Sequence, residues 1–91
     1  MSVTVKIPTQ LRTAAEGASE AQLDGATVQE VLEGLFAQYG ELRERISDED
    51  GSLRRFVNVY LGGEDIRFLD GLDTPVPAGA TLSIVPAVAG G

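Results

Sequence analysis

The sequence predicts a two-layer α+β fold in which one main helix packs on one face of a mixed sheet. Three observations carry this. Val3, Val5 and Ile7 alternate with Thr4 and Lys6 at the start, the period of a half-buried strand. Val28, Val31, Leu32, Leu35, Phe36 and Tyr39 recur at helical spacing in the middle. Phe56–Leu61 and Leu82–Val85, near the end, are rich in β-branched, aromatic and aliphatic residues. With 91 residues, 43% of them hydrophobic, the chain can enclose one small core but not two.

Taken in order, the first strand stops at Pro8, which cannot donate to a ladder. The stretch 9–16 reads as a polar connection. Gly17 permits a turn, and residues 18–23 return as a second strand that Asp24-Gly25 ends. Thr27 followed by Glu30 fits a capping box at the head of the main helix. Gly40 is expected to end that helix in a left-handed conformation, with a short second helix over residues 41–46 and a polar turn over 47–52. The strand 56–61 closes on Gly62-Gly63, which suits a tight hairpin leading into a short strand, 66–68. A loop with Pro75 and Pro77 follows, and Gly79 opens the last strand, 82–85.

The order strand, strand, helix, strand, short strand, strand is most economically met when the first and last strands pair in parallel at the centre. That is the β-grasp arrangement. Residues 1–86 form the domain. Residues 87–91 carry too little side chain to pack and are expected to form a flexible tail.

Composition narrows the function. Seven basic against 14 acidic residues give a formal net charge of -7, which disfavours nucleic acid and anionic membranes as partners. Cys and His are both absent, which excludes disulfides, thiol nucleophiles, thiolate or imidazole metal sites and imidazole acid/base chemistry. The N-terminus has no signal-like segment and no apolar run is long enough to span a membrane, so a cytoplasmic protein is the default.

Several motifs have simpler readings than chemistry. The segment 47–51 is similar to a calcium loop, but aligning its Asp-Gly puts Ile46 and Val57 at the first and last ligand positions, where carboxylates are required. It reads as a solvated turn. Gly62-Gly63 lacks the Lys-Ser/Thr of a phosphate loop, and Glu64-Asp65 reads as solvated charge on a hairpin.

The strand 56–61 is more informative. If Val57, Val59 and Leu61 face the helix, then Phe56, Asn58 and Tyr60 face the other way, joined by Thr4, Lys6, Ser83 and Val85. The result is a mixed apolar and polar platform of the kind that binds another protein. The competing possibility is that Phe56 and Tyr60 merely pack under the Pro75–Pro77 loop.

Gly90-Gly91 is the sharpest feature. At average glycine usage, two such terminal residues arise by chance about once in 200 sequences, so the pair gains weight from coinciding with a β-grasp pattern. Two residues without Cβ let a free carboxylate thread an extended tail into a narrow partner site.

On these residues the chain resembles the ubiquitin-like sulfur-carrier proteins, the MoaD/ThiS type. It is most similar to the carriers of actinobacterial cysteine biosynthesis, through residues 55–60 (RFVNVY), 64–68 (EDIRF) and 86–91 (PAVAGG). The family often has Gly-Asp where this chain has Gly79-Ala80. The resemblance implies that the protein is a sulfur donor and a substrate of other enzymes, not an enzyme itself, and that it holds no cofactor. An E1-like activating enzyme would use ATP to adenylate the Gly91 carboxylate. A sulfur donor, often a persulfide, would then displace AMP to leave a thiocarboxylate.

Gly90 would supply steric clearance. Phe56, Asn58, Tyr60, Val85, Ala87, Val88 and Ala89 would contact partners. In the cysteine branch the acceptor would be an aminoacrylate on a PLP-dependent, cysteine-synthase-like enzyme, with a zinc peptidase releasing the amino acid. Two alternatives stay open: delivery to a secondary metabolite such as a thiosugar, or to several pathways; and a ubiquitin-like modifier or adaptor.

Overall fold

The computed structural model describes residues 2–55 and 57–86. Five strands, β1 (Val3–Lys6), β2 (Glu20–Leu23), β3 (Val57–Leu61), β4 (Glu64–Asp65) and β5 (Thr81–Pro86), form one sheet in the order β2-β1-β5-β3-β4. The central pair is the expected parallel one, with Val5 beside Leu82. β2 and β3 flank it in antiparallel register, Val5 against Ala21 and Val59 against Ile84. This is the β-grasp fold.

Two helices, α1 (Val28–Gln38) and α2 (Gly40–Ile46), cover one face. Val28, Val31, Leu32, Leu35 and Phe36 of α1 pack with Val3, Val5, Ile7, Val57, Val59, Leu82 and Ile84 of the sheet, every one of them at most 5% exposed. The helical spacing and the strand alternation thus meet in one core. Leu42 and Ile46 of α2 are fully buried in it as well, so the second helix shares in covering the sheet.

Five local expectations are corrected. The stretch 9–16 is not a polar connection: Thr9–Ala15 is a 3-10 helix that buries Leu11, Ala14 and Ala15. It ends with Glu16 at φ 56 and Gly17 at φ 86, and the Ala18 N–H donates to Ala15 O at 3.0 Å. That bond keeps Ala18 out of β2, which starts at Glu20.

Gly40 does not end α1 in the left-handed region. Tyr39 breaks the helix at φ -129, ψ 83, its carbonyl accepts from Leu42 N–H at 3.0 Å, and Gly40 begins α2. The segment 66–68 is a 3-10 helix rather than a strand, because the Asp65 carboxylate accepts from the Arg67 N–H at 2.9 Å and turns the chain after only two residues of β4. The last strand is longer than expected and runs on to Pro86, opposite Val57.

The hairpin is as expected, with Gly62 and Gly63 at φ 59 and 94. Thr27 caps α1, its Oγ1 accepting from Glu30 N–H at 3.3 Å, while the Glu30 carboxylate reaches back to Ala26 N–H at 2.9 Å, one residue before the cap.

Gly25 does more than end a strand. A Cβ there would stand 2.8 Å from both the Val31 backbone nitrogen and its Cγ2, so the loop passes α1 at a distance only glycine allows. Gly25→Ala is expected to lower stability by about 1–3 kcal/mol, measured by urea denaturation. An unchanged midpoint would show that the loop moves aside at no cost.

Candidate functional site

The face of the sheet away from the helices is set by strand alternation. Val57 and Val59 are buried towards the core, so Asn58 and Tyr60 emerge on the opposite side. β5 alternates in the same way and places Thr81, Ser83 and Val85 there. The registers align Asn58 with Val85, and Tyr60 and Lys6 with Ser83. Val85 is 43% exposed on this face.

The structure therefore brings together Asn58, Tyr60 and Val85 with Thr4, Lys6 and Ser83, as alternation predicts. Phe56, Ala87, Val88, Ala89, Gly90 and Gly91 lie outside the described residues. For Tyr60, packing under the Pro75–Pro77 loop is ruled out. That loop sits at the head of α1, with Val76 N–H donating to Ala26 O at 2.9 Å and Val28 N–H to Thr74 O at 3.0 Å, on the helix side of the sheet.

The two ends of this face differ. Towards β2, Gln22, Thr4 and Ser2 satisfy one another, with Gln22 Nε2 donating to Thr4 Oγ1 at 2.9 Å and Ser2 Oγ to Gln22 Oε1 at 3.1 Å. Towards β4 stands Arg67, whose guanidinium donates to Asn58 Oδ1 at 2.6 Å and to the Val57 carbonyl at 2.7 Å. Sequence reasoning missed Arg67, because its role depends on where β4 stops. It also missed Phe68, which is 85% exposed beside it.

The turn 47–52 and the groove beside it are held together by local contacts. In the turn 47–52 Gly51 stands at φ 87, Asp50 Oδ1 accepts from Ser52 N–H at 3.1 Å, and Asp48 pairs with Arg54 at 3.5 Å. Among the described residues no three His, Cys, Asp or Glu gather to hold a metal ion. A groove of about 520 Å³ runs between α1, α2 and this turn. Within it Arg43 pairs with Glu33 at 3.3 Å and Arg54 with Asp48 at 3.5 Å, and Arg43 lies over the Phe36 ring at 5.1 Å. Among the described residues no helix is long and apolar enough to cross a membrane. The sheet face away from the helices thus carries hydroxyl, amide, amine and apolar groups, on strands that include β5, which ends at Pro86.

Known proteins share this plan. The chain matches the ThiS family over residues 5–91. It is 44% identical over 93 residues to the sulfur carrier protein CysO of Mycobacterium tuberculosis, with 100% of both chains covered. CysO in the crystal structure of the Amycolatopsis orientalis BexX/CysO complex is 45% identical and superposes with a TM-score of 0.90, over 98% of this chain and 99% of that one. Small archaeal modifier protein 1 of Methanosarcina acetivorans is 35% identical with a TM-score of 0.84, over 99% and 96% of the two chains. These relatives are carriers and modifiers rather than enzymes. A family match over nearly the whole chain, on a β-grasp framework, means that this chain belongs to the ThiS family, the MoaD/ThiS type of β-grasp domain.

Proposed function

We propose that the protein is a cytoplasmic sulfur carrier whose Gly91 carboxylate is converted to a thiocarboxylate that supplies sulfide for cysteine biosynthesis. The observation that carries this reading is the identity to CysO over the full length of both chains. The family match through residue 91 and the course of β5, which ends at Pro86 beside β3, support placing the reaction at the terminal residues.

The chemistry follows from a carboxylate being a poor electrophile. Its oxygen attacks the α-phosphorus of ATP on an E1-like activating enzyme, and pyrophosphate leaves. Hydrosulfide then attacks the acyl carbon of the adenylate, AMP leaves with the C–O electron pair, and a thiocarboxylate remains. A thiocarboxylate is ionised at neutral pH and strongly nucleophilic, as a thiolate is, so it can add to an electron-poor carbon held by a PLP-dependent, cysteine-synthase-like partner. A zinc peptidase would then release cysteine from the carrier. These cofactors belong to the partners. Within this chain, Gly90 gives clearance, and Phe56, Asn58, Tyr60 and Val85, continuing into Ala87, Val88 and Ala89, form the docking surface.

Intact-mass analysis after incubation with activating enzyme, ATP and sulfide tests the reading. The expected gain is that of exchanging one oxygen for one sulfur. An amide-linked protein target in its place would favour the modifier reading, which the likeness to small archaeal modifier protein 1 supports. The complex of the Amycolatopsis orientalis relative with BexX supports docking to a second protein, and the same assay with other synthases separates cysteine from thiosugar acceptors.

For the docking face, Phe56→Ala and Tyr60→Ala are each expected to weaken affinity for the activating enzyme by more than about 1 kcal/mol, read by calorimetry, with the fold intact by circular dichroism. Unchanged affinity in both variants would remove the aromatics from the interface.

A further inference from the structure

β4 pairs only with Tyr60 and Leu61 of β3, so among the described residues no strand lies beyond Val57 and Asn58. Arg67 takes that place. Its Nη2 donates to the Val57 carbonyl at 2.7 Å and reaches Arg54 O at 3.4 Å, while Nη1 donates to Asn58 Oδ1 at 2.6 Å. The turn that carries Arg67 is itself anchored. Ile66 beside it is fully buried, and the Asp65 carboxylate accepts from the Arg67 N–H at 2.9 Å. A planar guanidinium projected from a fixed turn thus ties three oxygens in one geometry.

These bonds decide how β3 meets β5. The Val57 N–H donates to Arg54 O at 3.0 Å and its carbonyl faces Arg67, so both groups point away from β5. In an antiparallel ladder this makes Val57 and Pro86, which stand opposite each other, a pair without mutual hydrogen bonds, as suits Pro86, which has no N–H. The ladder bonds fall on the next pair, Asn58 and Val85. The Val57 carbonyl and the Asn58 N–H belong to one planar peptide unit, so holding the carbonyl outward aims the N–H at Val85.

We propose that Arg67 is a positioning residue for the carrier reaction: by fixing the peptide plane between Val57 and Asn58 it locks the rung to Val85 and holds the end of β5 that residues 87–91 follow. The role rests on the carrier reading, in which those residues must reach ATP on another protein. A β5 end that is unlocked for part of the time leaves only a fraction of carriers ready to react, and the apparent affinity falls by that fraction.

Amide hydrogen exchange followed by NMR, together with the kinetics of thiocarboxylation, tests this in the wild type, Arg67→Ala and Arg67→Lys. In Arg67→Ala the amides of Val57, Asn58 and Val85 should exchange faster by about tenfold or more. Those of Thr4 and Ile7, bonded to Ala80 O at 3.0 Å and to Ser19 O at 2.8 Å, should keep their rates. The KM for the carrier should rise about threefold or more, with kcat within about twofold of the wild type. Arg67→Lys keeps the charge but has no planar fork, so it should show both defects. Equal acceleration at all five amides overturns the proposal, since Arg67 would then serve global stability alone. Unchanged exchange at Asn58 and Val85, local loosening with an unchanged KM, or full rescue by lysine overturns it too. A wild-type chain that gains no sulfur overturns the carrier reading instead, and the exchange rates then decide the lock by themselves.

Discussion

Removing Gly91 is expected to abolish thiocarboxylate formation and leave the melting temperature nearly unchanged. The chain has no Cys and no His, so no side chain can accept and carry sulfide in the carboxylate's place. Every core residue of the described structure lies between Val3 and Ile84, so the body should fold without residue 91. Appending one residue after Gly91 should have the same effect, because the carboxylate is displaced from the point where ATP is attacked. Gly90→Val keeps the carboxylate but adds a β-branched side chain, which restricts the backbone and cannot enter a channel sized for glycine. It should slow the reaction sharply. Intact mass after incubation with activating enzyme, ATP and sulfide reads all three variants, and sulfur incorporation by the chain lacking Gly91 would overturn the carrier proposal.

How much of this was legible depends on how local each signal is. Val3, Val5 and Ile7 alternate within five residues, and the α1 stripe repeats within eleven, so both core faces could be read directly. Alternation likewise placed Asn58, Tyr60 and Val85 together on the open face. The 3-10 helix Thr9–Ala15 escaped because Leu11, Ala14 and Ala15 are too few to stand out from their polar neighbours. At Tyr39 the break between helices rests on one residue's dihedral angles, while Gly40 offered a more familiar stop signal that the chain does not use. β4 was misread because Ile66 and Phe68 look like a strand, whereas the Asp65 carboxylate captures the Arg67 N–H and turns Ile66 inward. Arg67 could only be found afterwards, since its three acceptors become available where β4 ends. The roles proposed for Gly90 and Gly91 came from the paired glycines themselves, which lack Cβ, and from the family resemblance that added the chemistry.

Leu35→Ala is expected to be the most damaging single truncation of the core, costing about 2–5 kcal/mol. Leu35 is fully buried, and it belongs to the cluster that joins α1 to β1, β3 and β5. Removing its isobutyl group deletes contacts to the helix and sheet layers at once, and a close-packed interior relaxes only partly around the gap. A domain of this size is stable by about 5–15 kcal/mol, so the loss is a large share of the total and should lower the melting temperature by about 10 °C or more. Gln38→Ala, on the exposed side of the same helix, should change stability by less than about 0.5 kcal/mol and so controls for helix propensity. Equal melting of the two variants would mean that the assigned buried face of α1 is wrong. Leu35 lies on the helix side of the sheet, away from Asn58, Tyr60 and Val85, so the variant should be thiocarboxylated at the wild-type rate well below its melting temperature. A slow reaction there, with the fold intact, would mean that the helix layer shapes the docking face and does more than support it.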